Sequence, residues 1–156
     1  NGVQVGVLNV LGTVFMQPTL DCPFHSAAAV LEKKPQAVKV VLVDFHAEAT
    51  SEKVAMGWYL DGQVSAVVGT HTHVPTADER VLPAGTAHIS DVGMTGCYNS
   101  ILGMEIAGVL KRFVQRVPER FEAATGPVWI CGVVIDVDEQ TGASRGIKRV
   151  RVNETD

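Results

Sequence analysis

The sequence predicts an α/β fold, on two observations: short valine-rich apolar runs alternate with segments of helical periodicity, and each run is closed by polar or turn-forming residues. The first run, Val3-Gln4-Val5-Gly6-Val7-Leu8, is a strand, with Asn9-Val10-Leu11-Gly12 and a string of turn formers after it. Asp21 is placed to cap a helix running from about Pro23 to Lys34. Val38-Lys39-Val40-Val41-Leu42-Val43 is the second strand. Thr50-Ser51-Glu52 then opens a helix over 51–60, whose Val54, Ala55, Trp58 and Tyr59 share one face at helical spacing. Val64-Ser65-Ala66-Val67-Val68 is a third strand, and Arg80-Val81-Leu82-Pro83 and Thr86-Ala87-His88-Ile89-Ser90-Asp91 are two short strands around the Ala84-Gly85 turn. Ile106, Val109, Leu110, Phe113, Val114 and Val117 recur at helical spacing, which predicts a helix over 104–117 with that face packed. Pro127 to Val137 and Ser144 to Val152 are two strands joined across Asp138-Glu139-Gln140-Thr141-Gly142. Three helices are foreign to an all-β cupin or jelly roll. A barrel of eight strand-helix units needs a longer chain.

At 156 residues the chain is the size of a single domain, spanning 1–156 and long enough to bury a core. Hydrophobic residues make up 46% and charged residues 19%, with a net charge of -4, so the composition is globular and no basic stripe invites DNA or another nucleic-acid polymer. No apolar run reaches the ~18 residues of a membrane span, and no leader pattern is present. Cys22, Cys97 and Cys131 are far apart and odd in number, which supports neither a disulfide framework nor a zinc knuckle and suits a reducing, cytoplasmic setting. No glycine-rich phosphate cradle marks a nucleotide cofactor.

The chemistry gathers at strand ends. Gly69-Thr70-His71-Thr72-His73-Val74 follows the third strand, and in an extended backbone residues two apart share a face about 6–7 Å from one another. From there His71 and His73 can close on one cation or on two adjacent ones. His46 stands at the end of the second strand, in Asp44-Phe45-His46-Ala47-Glu48. Imidazole favours Zn, Fe, Ni and Cu, and neighbouring carboxylates shift the preference towards Mn or Fe. Asp44 and Glu48 are therefore candidates to orient the histidines. The competing reading of all three is plain: polar residues in a surface turn, and a capped histidine at a strand end. Gly93-Met94-Thr95-Gly96 is expected to form a turn, and Gly93, Thr95 and Gly96 are the candidates for backbone contact with an anionic substrate. Asp136, Asp138 and Glu139 read as solvated hairpin charge, His25 and His88 as structural, and Cys97 as a packed thiol.

A histidine after one strand and Gly-x-His-x-His after the next resemble the C-terminal half of the calcineurin-like metallophosphoesterases. Within that superfamily, five segments in order are similar to the YmdB-type 2',3'-cyclic-nucleotide 2'-phosphodiesterases: Asp44 to Glu48, Gly69 to Val74, Thr76-Ala77-Asp78-Glu79, Leu82 to Ala87, and Ser90-Asp91-Val92-Gly93-Met94-Thr95-Gly96. The resemblance runs from about Val3 to Glu154. It implies a sandwich of mixed β-sheets flanked by helices, and two divalent metal ions, Fe or Mn and alternatively Zn. It also implies that His46 and His71 bind one ion and His73 the other. Metal-activated hydroxide would open a 2',3'-cyclic nucleotide, or an RNA end of that kind, to leave a 3'-nucleotide.

The family's N-terminal motifs are not found: an aspartate after the first strand, a bridging glutamate in Glu-Asn, and an Asn-His that supplies the general acid. The chain thus resembles the C-terminal portion of such an enzyme, with the general acid expected outside it. Two neighbouring cations need bridging anions to offset their repulsion, so at most one ion is expected on this chain alone, with weak or no activity. Two alternatives follow from the same residues. One is a general metallophosphatase. The other is an inactive portion that forms a homo-oligomer or binds another protein through open sheet edges.

Overall fold

The computed structural model describes residues 2–17 and 20–153. Glu154, where the resemblance ends, lies outside the described residues. Among the described residues, eight strands and three helices follow in the order β1 (Val5–Leu11), α1 (Pro23–Glu32), β2 (Val40–His46), α2 (Thr50–Tyr59), β3 (Ala66–Thr70), β4 (Arg80–Val81), β5 (Ala87–Ile89), β6 (Thr95–Cys97), α3 (Ile106–Gln115), β7 (Val128–Val137) and β8 (Ser144–Asn153). The first sheet has the order β1-β2-β3-β5-β4, parallel except for the antiparallel β4. The second, β6-β7-β8, is antiparallel. The expected mixed α/β arrangement of sheets and helices is what the chain forms.

Alternation along β2 explains the layers. Val41, Val43 and Phe45 point to one face and are buried with Ala27 of α1 and with Met56 and Leu60 at α2. Burying side chains of this size contributes about 1.5–3 kcal/mol each. On the opposite face, Ala66 and Val68 of β3 and Ala87 and Ile89 of β5 pack with Val133, Ile135 and Ile147 of the second sheet. Helices therefore cover one side of the parallel sheet and the antiparallel hairpin covers part of the other.

Several local expectations are corrected. Cys22, not Asp21, is the N-cap of α1, and it makes no side-chain cap bond; Pro23, whose missing N–H would have had no partner within the helix, begins it. On α2 the buried positions are Glu52, Lys53, Met56 and Gly57, while Ala55, Trp58 and Tyr59 are exposed. The apolar pattern misleads because two charged residues go inward, each satisfied by a loop. Trp58 instead lies at the surface under the Arg80 guanidinium, 5.5 Å from its ring centre. The third helix is shorter than the expected 104–117, ending at Gln115 with Arg116 as its cap, and of its apolar face only Val109 is buried; Ile106, Leu110, Phe113 and Val114 are exposed, as is Val117 beyond its end. Periodicity reports that a helix has an apolar side, but not that anything covers it. Finally, Thr95 and Gly96 belong to strand β6, paired with Ile130 and Trp129 of β7, so the expected turn is confined to its start at Gly93, whose φ is +82°.

Two further local expectations hold, for the 138–142 loop and for Cys97. The 138–142 loop is a hairpin whose Asp138 carboxylate accepts the Gln140 and Thr141 N–H groups and pairs with Arg145, and those N–H groups hold its pKa below the usual range. Cys97 is buried. Among the described residues no helix is long and apolar enough to cross a membrane.

His88 is fully enclosed, and neither ring nitrogen makes a well-formed hydrogen bond among the described residues. Its Nδ1 would lie 2.7 Å from a side chain grown at Gly57. Burial pushes its pKa below the ordinary histidine value, the nearby Asp78 carboxylate opposing this and Arg80 adding to it. The unfolded chain therefore takes up a proton at about pH 6.5 that the folded chain resists. Stability should accordingly fall as pH drops below that point, and His88→Leu should flatten this part of the profile in urea melts at stepped pH. Asp78 acts in a lower window: burial raises its pKa, but hydrogen bonds from Ser90 and Thr76 outweigh this and hold it below the ordinary carboxyl value. Its contribution is complete above about pH 4 and lost below, and His88→Leu should leave that fall in place.

Candidate functional site

The parallel register sets the site. Leu11, His46 and Thr70 are level with one another at the carboxyl ends of β1, β2 and β3, and Asn9 is level with Asp44. Residues two apart on a strand share a face, so Asn9, Asp44, His46 and Thr70 all project from the sheet face opposite the helices. Carboxyl ends of parallel strands are where open α/β sheets place ligands.

A continuous run of contacts crosses this face. Asn9 Nδ2 donates to Asp44 Oδ2 at 2.8 Å, and Thr70 Oγ1 donates to Asp44 Oδ1 at 2.9 Å. His46 Nδ1 lies 3.0 Å from Thr70 Oγ1, and His46 Nε2 lies 3.2 Å from His71 Nδ1. His71 Nε2 in turn meets the Glu48 carboxylate at 2.5 Å. Of the candidate residues, the structure thus brings His46, His71, Glu48 and Asp44 together, with Asp44 acting through Thr70. It does not bring His73 to them: its Nδ1 is 3.2 Å from the Leu102 carbonyl oxygen.

Why the His-x-His segment turns as it does follows from its backbone. His71 has φ +136° and His73 φ +65°, conformations that cost a non-glycine residue of order 1–3 kcal/mol and persist only where surroundings impose them. The surroundings here are a buried ion pair. Lys53 Nζ of α2 contacts Asp91 Oδ2 at 3.1 Å, with the two side chains 1% and 0% exposed. The same Asp91 oxygen accepts the Thr72 N–H, and its other oxygen accepts the Gly93 N–H. One carboxylate thereby ties the turn between the two histidines to the glycine loop. Gly69 makes this approach possible, because a β-carbon there would fall 1.8 Å from the Ser90 carbonyl oxygen. On α2, Glu52 works the same way on the loop after β1, accepting the Thr13 and Val14 N–H groups. Motif spacing does not pick out Lys53, Asp91, Thr70 or Asn9. The only signal for Lys53 in the sequence is a charge on a helix whose apolar spacing points to a different side.

In the glycine loop two of the four backbone donors are held internally. The Gly93 N–H is held by Asp91 and the Met94 N–H by the Tyr98 hydroxyl, while Thr95 and Gly96 pair with β7. His25 is exposed on α1, away from this network.

The two facing imidazole nitrogens, His46 Nε2 and His71 Nδ1, are donors of the kind that suits Zn or Fe, and Glu48 lies on the opposite nitrogen of the His71 ring. The donors fit a cation, as part of a shell: among the described residues no three His, Cys, Asp or Glu side chains form a metal-ligating group.

A mostly parallel sheet carrying imidazoles and a carboxylate at its strand ends, backed by helices and by an antiparallel hairpin, defines a mixed α/β protein. The chain matches the family described as "YmdB-like protein" over residues 1–150, and it belongs to that family. It is 51% identical over 154 residues to the 2',3'-cyclic-nucleotide 2'-phosphodiesterase of Bacillus subtilis, covering 99% of this chain and 58% of the relative. Among solved structures it is similar to a hypothetical protein of Thermus thermophilus, with a TM-score of 0.89 and 43% identity over 96% of this chain and 57% of that one. A phosphatase of Mycoplasma pneumoniae is also similar, with a TM-score of 0.86 and 36% identity over 94% of this chain and 52% of that one. The chain therefore spans little more than half the length of the relatives it matches.

Proposed function

We propose that this chain carries part of the active site of a metal-dependent phosphodiesterase that opens 2',3'-cyclic nucleotides to 3'-nucleotides. The observation that carries this reading is the contact between His46 Nε2 and His71 Nδ1 at the ends of β2 and β3, in a chain so similar to a 2',3'-cyclic-nucleotide 2'-phosphodiesterase. His46 and His71 would hold a divalent ion, Fe, Mn or Zn, with Glu48 beside them, and His73 would serve a second ion once its contact with Leu102 is released. A bound ion of this kind supplies a Lewis acid and a water of lowered pKa. The chain's own part is positional. Asp44 and Thr70 orient His46, and Asp91 with Lys53 holds the turn that presents His71.

No described residue is proposed as general acid or bridging carboxylate, so turnover of 2',3'-cyclic AMP by this chain alone should stay below the ~1 per second typical of enzymes. Titration with Mn2+ or Zn2+, read by calorimetry, tests the ion directly. His71→Ala should weaken binding by more than the ~10–100-fold that loss of an outer partner costs. Equal affinity in His71→Ala and the parent chain would sink the assignment.

A second reading has its own support. Val5 and Val7 of β1 and Leu110, Phe113 and Val114 of α3 are exposed apolar side chains in two patches, of the kind that mark interaction sites. Under this reading the chain assembles with itself. Sedimentation equilibrium separates the two: a dimer or larger species that binds no ion favours assembly, and an ion-binding monomer favours the phosphodiesterase.

A further inference from the structure

Proton accounting along the Asn9–Asp44–Thr70–His46 run has a definite outcome. A threonine hydroxyl has one proton to donate, and an ionised carboxylate can only accept. The Thr70 hydroxyl is 2.9 Å from Asp44 Oδ1 and gives its proton there. The other Asp44 oxygen takes an N–H from Asn9, so the carboxylate is held on both sides. With its proton committed, Thr70 Oγ1 can only accept from His46 Nδ1, 3.0 Å away. A neutral imidazole protonated at Nδ1 has its lone pair at Nε2, which then accepts from His71 Nδ1, with the Glu48 carboxylate on the other nitrogen of the His71 ring.

We propose that Thr70 is a positioning residue that selects the Nδ1–H tautomer of His46, with Asp44 setting the direction of the Thr70 hydroxyl and Asn9 fixing Asp44. The inference rests on the phosphodiesterase reading only for its purpose: a lone pair at Nε2 is what a cation at the strand ends requires. It places the control of a ligand's tautomer on Thr70, one residue before the His-x-His pair, and not on a direct carboxylate–histidine contact. It also explains why Asp44 and His46 do not touch although they share a strand face. The register that sets Thr70 beside His46 interposes the hydroxyl between them.

The test needs no ion and no activity. Long-range 15N–1H correlation spectra of the whole chain at about pH 8, where an ordinary histidine is neutral, report which imidazole nitrogen carries the proton. In the parent chain His46 should show a protonated Nδ1 and a bare Nε2. Thr70→Val, which keeps the shape and removes the hydroxyl, should move the His46 signals towards the Nε2–H form, and Thr70→Ser should restore the parent pattern. Asp44→Asn supplies an independent check. Asn9 continues to donate to the new amide oxygen, the amide N–H then points at Thr70, and the hydroxyl is turned to donate to His46 Nδ1. The tautomer should therefore reverse with the fold unchanged. A bare Nε2 retained in both Thr70→Val and Asp44→Asn would overturn the proposal, as would an Nε2–H tautomer in the parent chain. Calorimetry adds a second readout, with the Kd for Zn2+ expected to rise about 10- to 100-fold in Thr70→Val and to recover in Thr70→Ser. If the tautomer shifts as expected but the parent binds no ion, the metal reading fails and the tautomer assignment stands.

Discussion

Lys53→Met should destabilise the fold by about 3–5 kcal/mol, the cost of leaving one member of a buried ion pair without its partner. Asp91 is 0% exposed, and Lys53 supplies its only neutralising charge among the described residues. The methionine side chain fills nearly the same space, so the loss is electrostatic and not a matter of packing. The double variant Lys53→Met/Asp91→Asn should be less damaging than the single one, since it removes both charges together. Urea denaturation of the parent, the singles and the double measures the coupling. A loss under ~1 kcal/mol for Lys53→Met, the range of an exposed pair, would mean that the pair is not what holds the turn. The destabilisation should be felt at the site, because Asp91 carries the Thr72 N–H between His71 and His73.

Gly69→Ala should prevent folding altogether. The added carbon would stand 1.8 Å from the Ser90 carbonyl oxygen, 2.6 Å from its carbon and 2.8 Å from Lys53 Cδ. Two of these are backbone atoms of the neighbouring segment, held in place by the hydrogen bond from Val92 N–H to the Gly69 oxygen at 3.0 Å. No side-chain rotation relieves such a clash, so the cost should exceed the ~1–3 kcal/mol of ordinary overpacking. Gly146→Ala is the matched control, at a strand position where nothing lies within 4 Å of the new carbon. It should be neutral or stabilise by up to ~1 kcal/mol, because alanine loses less backbone entropy on folding. Dispersion of the amide NMR spectrum distinguishes the two. A well-dispersed Gly69→Ala spectrum would show that β3 and the Ser90 segment can separate more easily than their contact implies.

Strand positions are legible in the sequence because valine runs closed by polar residues leave few other options, and His46 and His71 are legible because they close two of those runs. The neighbourhood that makes them a site is not. Thr70 is an ordinary threonine until the parallel register sets it level with His46. Lys53 stays hidden because apolar periodicity on α2 points to Trp58 and Tyr59. A buried Lys leaves no trace in a pattern of apolar residues, since what permits its burial is Asp91, 38 positions further along. The spacing of His71 and His73 implies a shared face, yet positive φ at both residues turns the second ring to Leu102. Alternation rules apply to extended backbone, and this segment is not extended. The α3 face fails for another reason: amphipathic spacing is a property of the helix alone, and its cover is a property of whatever packs on it.

The most direct test of the proposed site is anomalous diffraction at the zinc edge from crystals of the chain grown with Zn2+. A peak about 2.0–2.1 Å from His46 Nε2 and from a His71 nitrogen is expected. The two rings, now in direct contact, should part to admit the ion. A strong peak elsewhere on the molecule, with His46 and His71 still in contact with each other, would contradict the assignment.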